Sequence, residues 1–213
     1  MNFDDIVKME HSSVMQTYNR FNIAINNGKG ATAADVNGKT YVDFGSGIGV
    51  NSLGYCDSEW VTAVQNQAEK LAHISNLYYN ETQVTFASKL CKISNMSRVF
   101  LCNSGAEANE CAIKLARKYS FDKYGKGRST IISIKNSFHG RTLTTLSATG
   151  QDSFHQYFFP FTEGFEFSEP NVQDLQSKLN DNICAIMLEC IQGEGGVVPL
   201  DFDFIRAVRQ ICD

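Results

Sequence analysis

The chain has 213 residues, 43% hydrophobic and 20% charged, with a formal net charge of -4. That is enough for one sizeable core plus a smaller appendage, and its acidic balance leaves no electrostatic footprint for nucleic acid. No window reaches the apolar length of a transmembrane helix, and seven scattered cysteines without a CxxC pair, with four dispersed histidines, argue against zinc and suit the reducing cytoplasm.

Met1–Glu10 carries three acids and one lysine with no apolar run behind them, so it reads as neither a secretory signal nor a transit peptide. The first clear element is a hairpin: Ala31–Val36, an Asn37-Gly38 turn, then Lys39–Phe44. An Asn-Gly pair tolerates positive φ at both turn positions. Gly45–Gly49 is too glycine-rich for a regular element and marks a backbone that must bend or be approached closely. Helical spacing then predicts a helix from Ser58, with Trp60, Val61, Val64, Ala68 and Leu71 on one face. A second runs from Thr82 to Ile93, with Val84, Ala87, Leu90 and Cys91 along its stripe.

From there short apolar strands alternate with helices. Arg98–Cys102 is a predicted strand, and Ala106–Tyr119 a helix with Ala108, Cys111, Ala112, Leu115 and Tyr119 inward. Thr130–Ile134 is a strand, followed by a loop and a short helix. Asn171–Leu179 is a helix, Ile183–Leu188 an apolar strand, and Phe202–Cys212 a last helix. The alternation implies an α/β fold with a mostly parallel central sheet and helices on both faces.

Ligands of such sheets bind beyond the carboxyl ends of the strands. Three loops there hold the polar residues that the strands lack. Asn103–Glu107 joins a strand end to a helix start, where unpaired N–H groups and the helix dipole favour an anion. Ser104 adds a hydroxyl, and Gly105 and Ala106 leave room for a phosphate at the backbone; a plain capped turn explains that loop alone equally well. Asn136–Thr142 offers Phe138 for stacking on a planar heterocycle and Arg141 as a fork for a carboxylate, although singly these are as often a core aromatic and a surface cation. Glu189–Gly196 places an acid directly after an apolar strand, so Glu189 needs a partner or a proton. Glu194, among glycines, equally suits a solvated turn. Gly38-Lys39-Thr40 is no P-loop, since Ala33 replaces the required glycine and no helix follows; no GxGxxG follows a strand either.

Taken together, the runs Asn103–Glu110, Phe138–Thr142 and Glu189–Gly196 resemble consecutive motifs of the class III aminotransferases. Leu143–Gln151, ending Ala148-Thr149-Gly150-Gln151, resembles the acetylornithine and ornithine branch, and the similarity extends from Tyr18 onward. The resemblance implies a fold type I homodimer that uses pyridoxal 5'-phosphate, with the active site at the subunit interface. It implies transfer of a terminal amino group to 2-oxoglutarate from N2-acetylornithine, or from ornithine, succinylornithine or 4-aminobutyrate in sister enzymes. Residues 1–50 would be the N-terminal segment and hairpin of a small domain, and 51–213 the first part of the large cofactor-binding domain.

By the same resemblance, Ser104, Gly105 and Ala106 would hold the cofactor phosphate, Phe138 would stack on its ring, and Glu189 would belong to the cofactor site. Arg141 and Tyr18 would bind the donor's α-carboxylate. Glu194 would pair with a C-terminal arginine and release it to 2-oxoglutarate. Three residues depart from the family's pattern: Cys190 stands where proline is usual, and Tyr55 and Ser58 replace a histidine and a proline. No lysine of the chain sits in a motif matching the one that carries the cofactor, nor does any aspartate match the partner of the pyridine nitrogen. The chain is therefore expected to be an incomplete, inactive portion.

Overall fold

The computed structural model describes all 213 residues, which form two compact units, Met1–Glu81 and Thr82–Asp213. The first unit starts with α1 (Phe3–Ser13), capped by Asn2, whose side chain accepts the Asp5 N–H. Its sheet joins β1 (Ile25–Lys29), β2 (Thr32–Asp35) and β3 (Thr40–Val42) in antiparallel order β1-β2-β3. The hairpin foreseen around Asn37-Gly38 is β2–β3, with Ala33 opposite Tyr41. Its turn works differently from the expectation, because only Gly38 has positive φ. Asp35 closes it instead: one carboxylate oxygen accepts the N–H groups of Asn37 and Lys39, and the other accepts the Tyr41 hydroxyl. Those bonds hold the Asp35 carboxyl below its usual range against the opposing pull of desolvation.

Residues 45–49 are irregular, as their glycines require. The short turn α2 (Ser46–Gly49) has left-handed φ at Ser46, Gly47, Ile48 and Gly49. Two helices follow, α3 (Ser58–Lys70) in the first unit and α4 (Glu81–Ser94), which opens the second; neither buries a residue.

The second unit is an α/β sandwich built on β4 (Thr130–Ile134). Parallel strands β5 (Phe165–Ser168) and β6 (Ile183–Met187) flank it in the order β5-β4-β6. Alternation along β4 divides the core. Ile132 and Ile134 face a cluster with Leu175 of α7 (Val172–Lys178) and Phe204 and Val208 of α8 (Phe202–Cys212). Ile131 faces the other side, against Ala148 of α6 (Leu143–Ala148) and Ile113 of α5 (Gly105–Tyr124). Full burial of each such isoleucine contributes about 1.5–3 kcal/mol. A short ribbon, β7 (Ile191–Gln192) with β8 (Val198–Pro199), completes the set.

Two expectations need correcting. Arg98–Cys102 lies outside regular structure, because a strand needs a ladder partner and this segment pairs with none of β4, β5 and β6. In α5 the inward residues are Ile113 and Ala116, packed in the cluster with Ile131, and Ser120, whose hydroxyl donates to the Arg128 carbonyl, whereas Leu115 and Tyr119 are 66% and 60% exposed. The helix carries two apolar stripes, and only one can lie on the sheet.

Candidate active site

The loops singled out from the sequence meet at the carboxyl ends of β4 and β6. Ser104 caps α5: its hydroxyl accepts the Glu107 N–H at 3.2 Å, while the Glu107 carboxylate turns back to the Asn103 N–H at 2.8 Å. The Asn103 bonds hold that carboxyl below its usual range. With Glu107's N–H occupied, the N–H groups of Gly105 and Ala106 are the helix-start donors left to point outward. A Cβ on Gly105 would meet nothing within 4 Å, so an anion has open access to this backbone.

The loop after β4 docks against this helix start through Gly140, whose φ of 135° excludes ordinary side chains. A Cβ there would stand 2.9 Å from the Ala106 Cβ and 2.6 Å from Thr145 Oγ1. Asn109, one turn into α5, donates its amide to the His139 carbonyl at 2.7 Å. Thr142 caps α6 with a reciprocal capping box to Thr145. Phe138 is therefore held between anchored neighbours, half-buried, with Ser137 and His139 buried on either side. The Arg141 guanidinium carbon lies 6.0 Å from the Phe138 ring centre and 5.8 Å from that of Phe154, and the two rings are 5.7 Å apart.

Glu189 joins the loop after β6 to the loop after β4. One carboxylate oxygen accepts the Phe138 N–H at 2.8 Å and the other the Gly193 N–H at 3.3 Å. The acid after an apolar strand is thus partnered. The buried His139 ring has its pKa lowered by desolvation, with the Glu189 charge opposing that shift, and its Nε2 has no hydrogen-bond partner in the chain. Glu194, exposed, has its carboxylate 2.6 Å from the Gln151 amide nitrogen. Tyr18 belongs to the first unit, where it lines a cavity of about 420 Å³ with Phe3, Ile6, Glu10 and Phe21.

The loop that carries Phe138 and Arg141 is thus docked, through Gly140, on the open start of α5. A profile of the aminotransferase class III family matches residues 13–213. The chain belongs to the class III aminotransferases.

Among the relatives, the acetylornithine aminotransferase of Haemophilus ducreyi is 52% identical over all of this chain and 54% of its own length. That of Methanocaldococcus jannaschii is 45% identical over all of this chain and 53% of its own length. The structure superposes on the ornithine aminotransferase of Toxoplasma gondii with a TM-score of 0.93 at 31% identity, covering 100% of this chain and 51% of that one. The N-acetylornithine aminotransferase of Stenotrophomonas maltophilia gives 0.78 at 34% identity, over 97% and 50%. The chain spans about half the length of the curated relatives it matches. Its α/β architecture is that of fold type I, and the family's cofactor is pyridoxal phosphate, which partially occupies the active site of the Toxoplasma gondii enzyme crystallised with oxidised glutathione.

Several parts of this candidate site escaped the sequence reading. Asn109 and Thr149, which hold the two sides of the His139 backbone, lie inside runs that carry the family resemblance, but nothing local says what their side chains would hold. Phe154, under Arg141, is one aromatic among fifteen phenylalanines. Gln151 stood inside a quoted motif, but nothing local said what it would hold.

Proposed function

We propose that the full-length protein carrying this chain is an acetylornithine aminotransferase of arginine biosynthesis. It moves the terminal amino group of N2-acetylornithine to 2-oxoglutarate, yielding N-acetylglutamate 5-semialdehyde and glutamate. The observation that carries the reading is the open start of α5 beside the Gly140 loop, which sets an anion site against Phe138 and Arg141. The names of the most similar relatives favour the acetylated donor within that chemistry.

Pyridoxal phosphate, when bound, supplies the carbonyl that takes the amino group and the ring that withdraws electrons from the reacting carbon. The chain's own residues bind and orient. Ser104, Gly105 and Ala106 hold the phosphate: Gly105 and Ala106 with the N–H donors that the helix leaves unpaired, and Ser104 with a hydroxyl that turns from the Glu107 carboxylate. Phe138 covers one ring face, and Glu189 contributes through Phe138, whose backbone it fixes. Arg141, with its guanidinium near two aromatic rings, presents its fork to the donor's α-carboxylate. Tyr18 assists at that carboxylate, and Glu194 holds a cation until the acceptor's second carboxylate claims it.

A homodimer with a shared active site fits the surface, since α3 and α4 bury no residue and Trp60 is 56% exposed. Cytoplasmic residence fits the seven free cysteines, and no helix is long and apolar enough to cross a membrane. Residues 1–50 then belong to the small domain and 51–213 to the large one.

The test compares donors in the full-length protein with pyridoxal phosphate and 2-oxoglutarate. Acetylornithine should give the highest kcat/KM, ahead of ornithine, succinylornithine and 4-aminobutyrate. A higher kcat/KM for any of the other three would move the assignment to that sister activity. The 213-residue chain alone should turn over none of them, and turnover by it would refute the expectation that the cofactor-linking lysine is absent.

A further inference from the structure

The geometry points to Gln151 as a positioning residue that sets the carboxylate of Glu194 and thereby the affinity for the dicarboxylic oxo-acid acceptor; this rests on the acceptor-side reading of Glu194 above. The backbone of the Glu194 loop is pinned on both sides. Gln192, 4% exposed, donates to the Lys135 carbonyl at 2.7 Å, and a Cβ on Gly195 would stand 2.6 Å from the Asn136 carbonyl oxygen. The loop therefore cannot shift without breaking contacts to the end of β4. What stays free is the Glu194 side chain, and Gln151 is the group that takes hold of it.

Gln151 is itself fixed. Gly150, just before it, donates to both the carbonyl and the hydroxyl of Ser137 at 3.1 Å and accepts the Asn136 N–H at 2.7 Å. The Gln151 amide nitrogen donates to the Ser137 carbonyl at 3.2 Å and to Glu194 Oε2 at 2.6 Å. Both amide hydrogens are thus used on two acceptors. Turning the amide over would set its oxygen against a carbonyl and a carboxylate, so only one orientation is stable. The neutral Gln151 donor on one oxygen leaves the other oxygen of Glu194 available to a cation. When the acceptor takes that cation, Gln151 keeps the released carboxylate hydrogen-bonded, which lowers the cost of release. Glutamate at position 151 would reverse the effect, because two carboxylates at that spacing repel.

The experiment is steady-state kinetics on the full-length enzyme with pyridoxal phosphate saturating. Gln151→Ala should raise the KM for 2-oxoglutarate by roughly threefold to tenfold, less than is usual for a hydrogen bond to a charged group because Glu194 is exposed to solvent. The KM for the amino donor should rise by less. Gln151→Glu should raise the acceptor KM further at neutral pH and recover toward the alanine variant on acidification, a pattern that misfolding does not produce. In a Glu194→Gln background, Gln151→Ala should add nothing. Equal effects on donor and acceptor, or full additivity with Glu194→Gln, would overturn the positioning role while leaving Glu194 in place. An acceptor KM unmoved by Glu194→Gln alone would instead remove Glu194 from the acceptor side, and this inference with it.

Discussion

Gly140→Ala tests whether the docking of the Phe138 loop onto the α5 start is as tight as the geometry implies. Two costs apply. The backbone φ of 135° lies where L side chains rarely go, which costs about 1–3 kcal/mol. The new Cβ would also stand 2.9 Å from the Ala106 Cβ and 2.6 Å from Thr145 Oγ1, inside the spacing that real Cβ atoms keep, and such overpacking costs about 1–3 kcal/mol more. Gly127 provides the matched control, since its φ of 106° carries the backbone strain while nothing lies within 4 Å of its Cβ position. Gly127→Ala should therefore lose about 1–3 kcal/mol, and Gly140→Ala about 2–6 kcal/mol. The difference isolates the contact between the loop and the helix start. Relief of the clash must move either Thr145, which breaks the α6 capping box, or Ala106, which tilts the anion site away from Phe138. Urea midpoints of the apo full-length protein give the stability difference, and the rate of pyridoxal phosphate loss from the holo form gives the functional one. Gly140→Ala should also release cofactor faster than Gly127→Ala. Equal midpoints and equal release rates for the two variants would refute the tight approach.

Arg141→Lys in the full-length enzyme should lower kcat/KM for acetylornithine and ornithine alike by on the order of tenfold to a hundredfold, since losing one bond of a charged bidentate pair costs about 1.5–3 kcal/mol. Phe138→Ala should instead speed cofactor loss and be largely corrected by saturating pyridoxal phosphate; identical behaviour of the two variants would count against separate roles. His139 supplies a pH signature. Burial lowers its pKa below the ordinary 6.5, so below that pH the unfolded chain binds more protons than the folded one. Its contribution is complete above about pH 6.5 and is lost as pH falls toward the folded pKa. His139→Gln should flatten the fall in urea midpoint between about pH 7.5 and 5.5, and an unchanged slope would show that the ring is already protonated or solvated.

The sequence by itself determined the local signals. Strand β4 and helices α3 and α8 lie where the spacing of apolar residues placed them, and in the structure Asp57 and Asp201 cap the two helices, satisfying orphan N–H groups whatever packs nearby. The three candidate loops were legible for the same reason, as local runs of glycine and polar residues, although each alone equally suited a plain turn. Contact partners required the tertiary structure. Periodicity marked α5 as amphipathic but could not choose between its two apolar stripes, and the sheet chose Ile113 over Leu115. Arg98–Cys102 has strand composition, yet composition supplies no ladder partner. Strand β5, only four residues long, became visible through its pairing with β4. Gln151 and Glu194 are 43 residues apart, as Glu189 and Phe138 are 51 apart. A hydrogen bond across such a span leaves no trace in local spacing; these two join the loops after β4 and β6, and Asn109, bonded to the His139 carbonyl, ties in the start of α5.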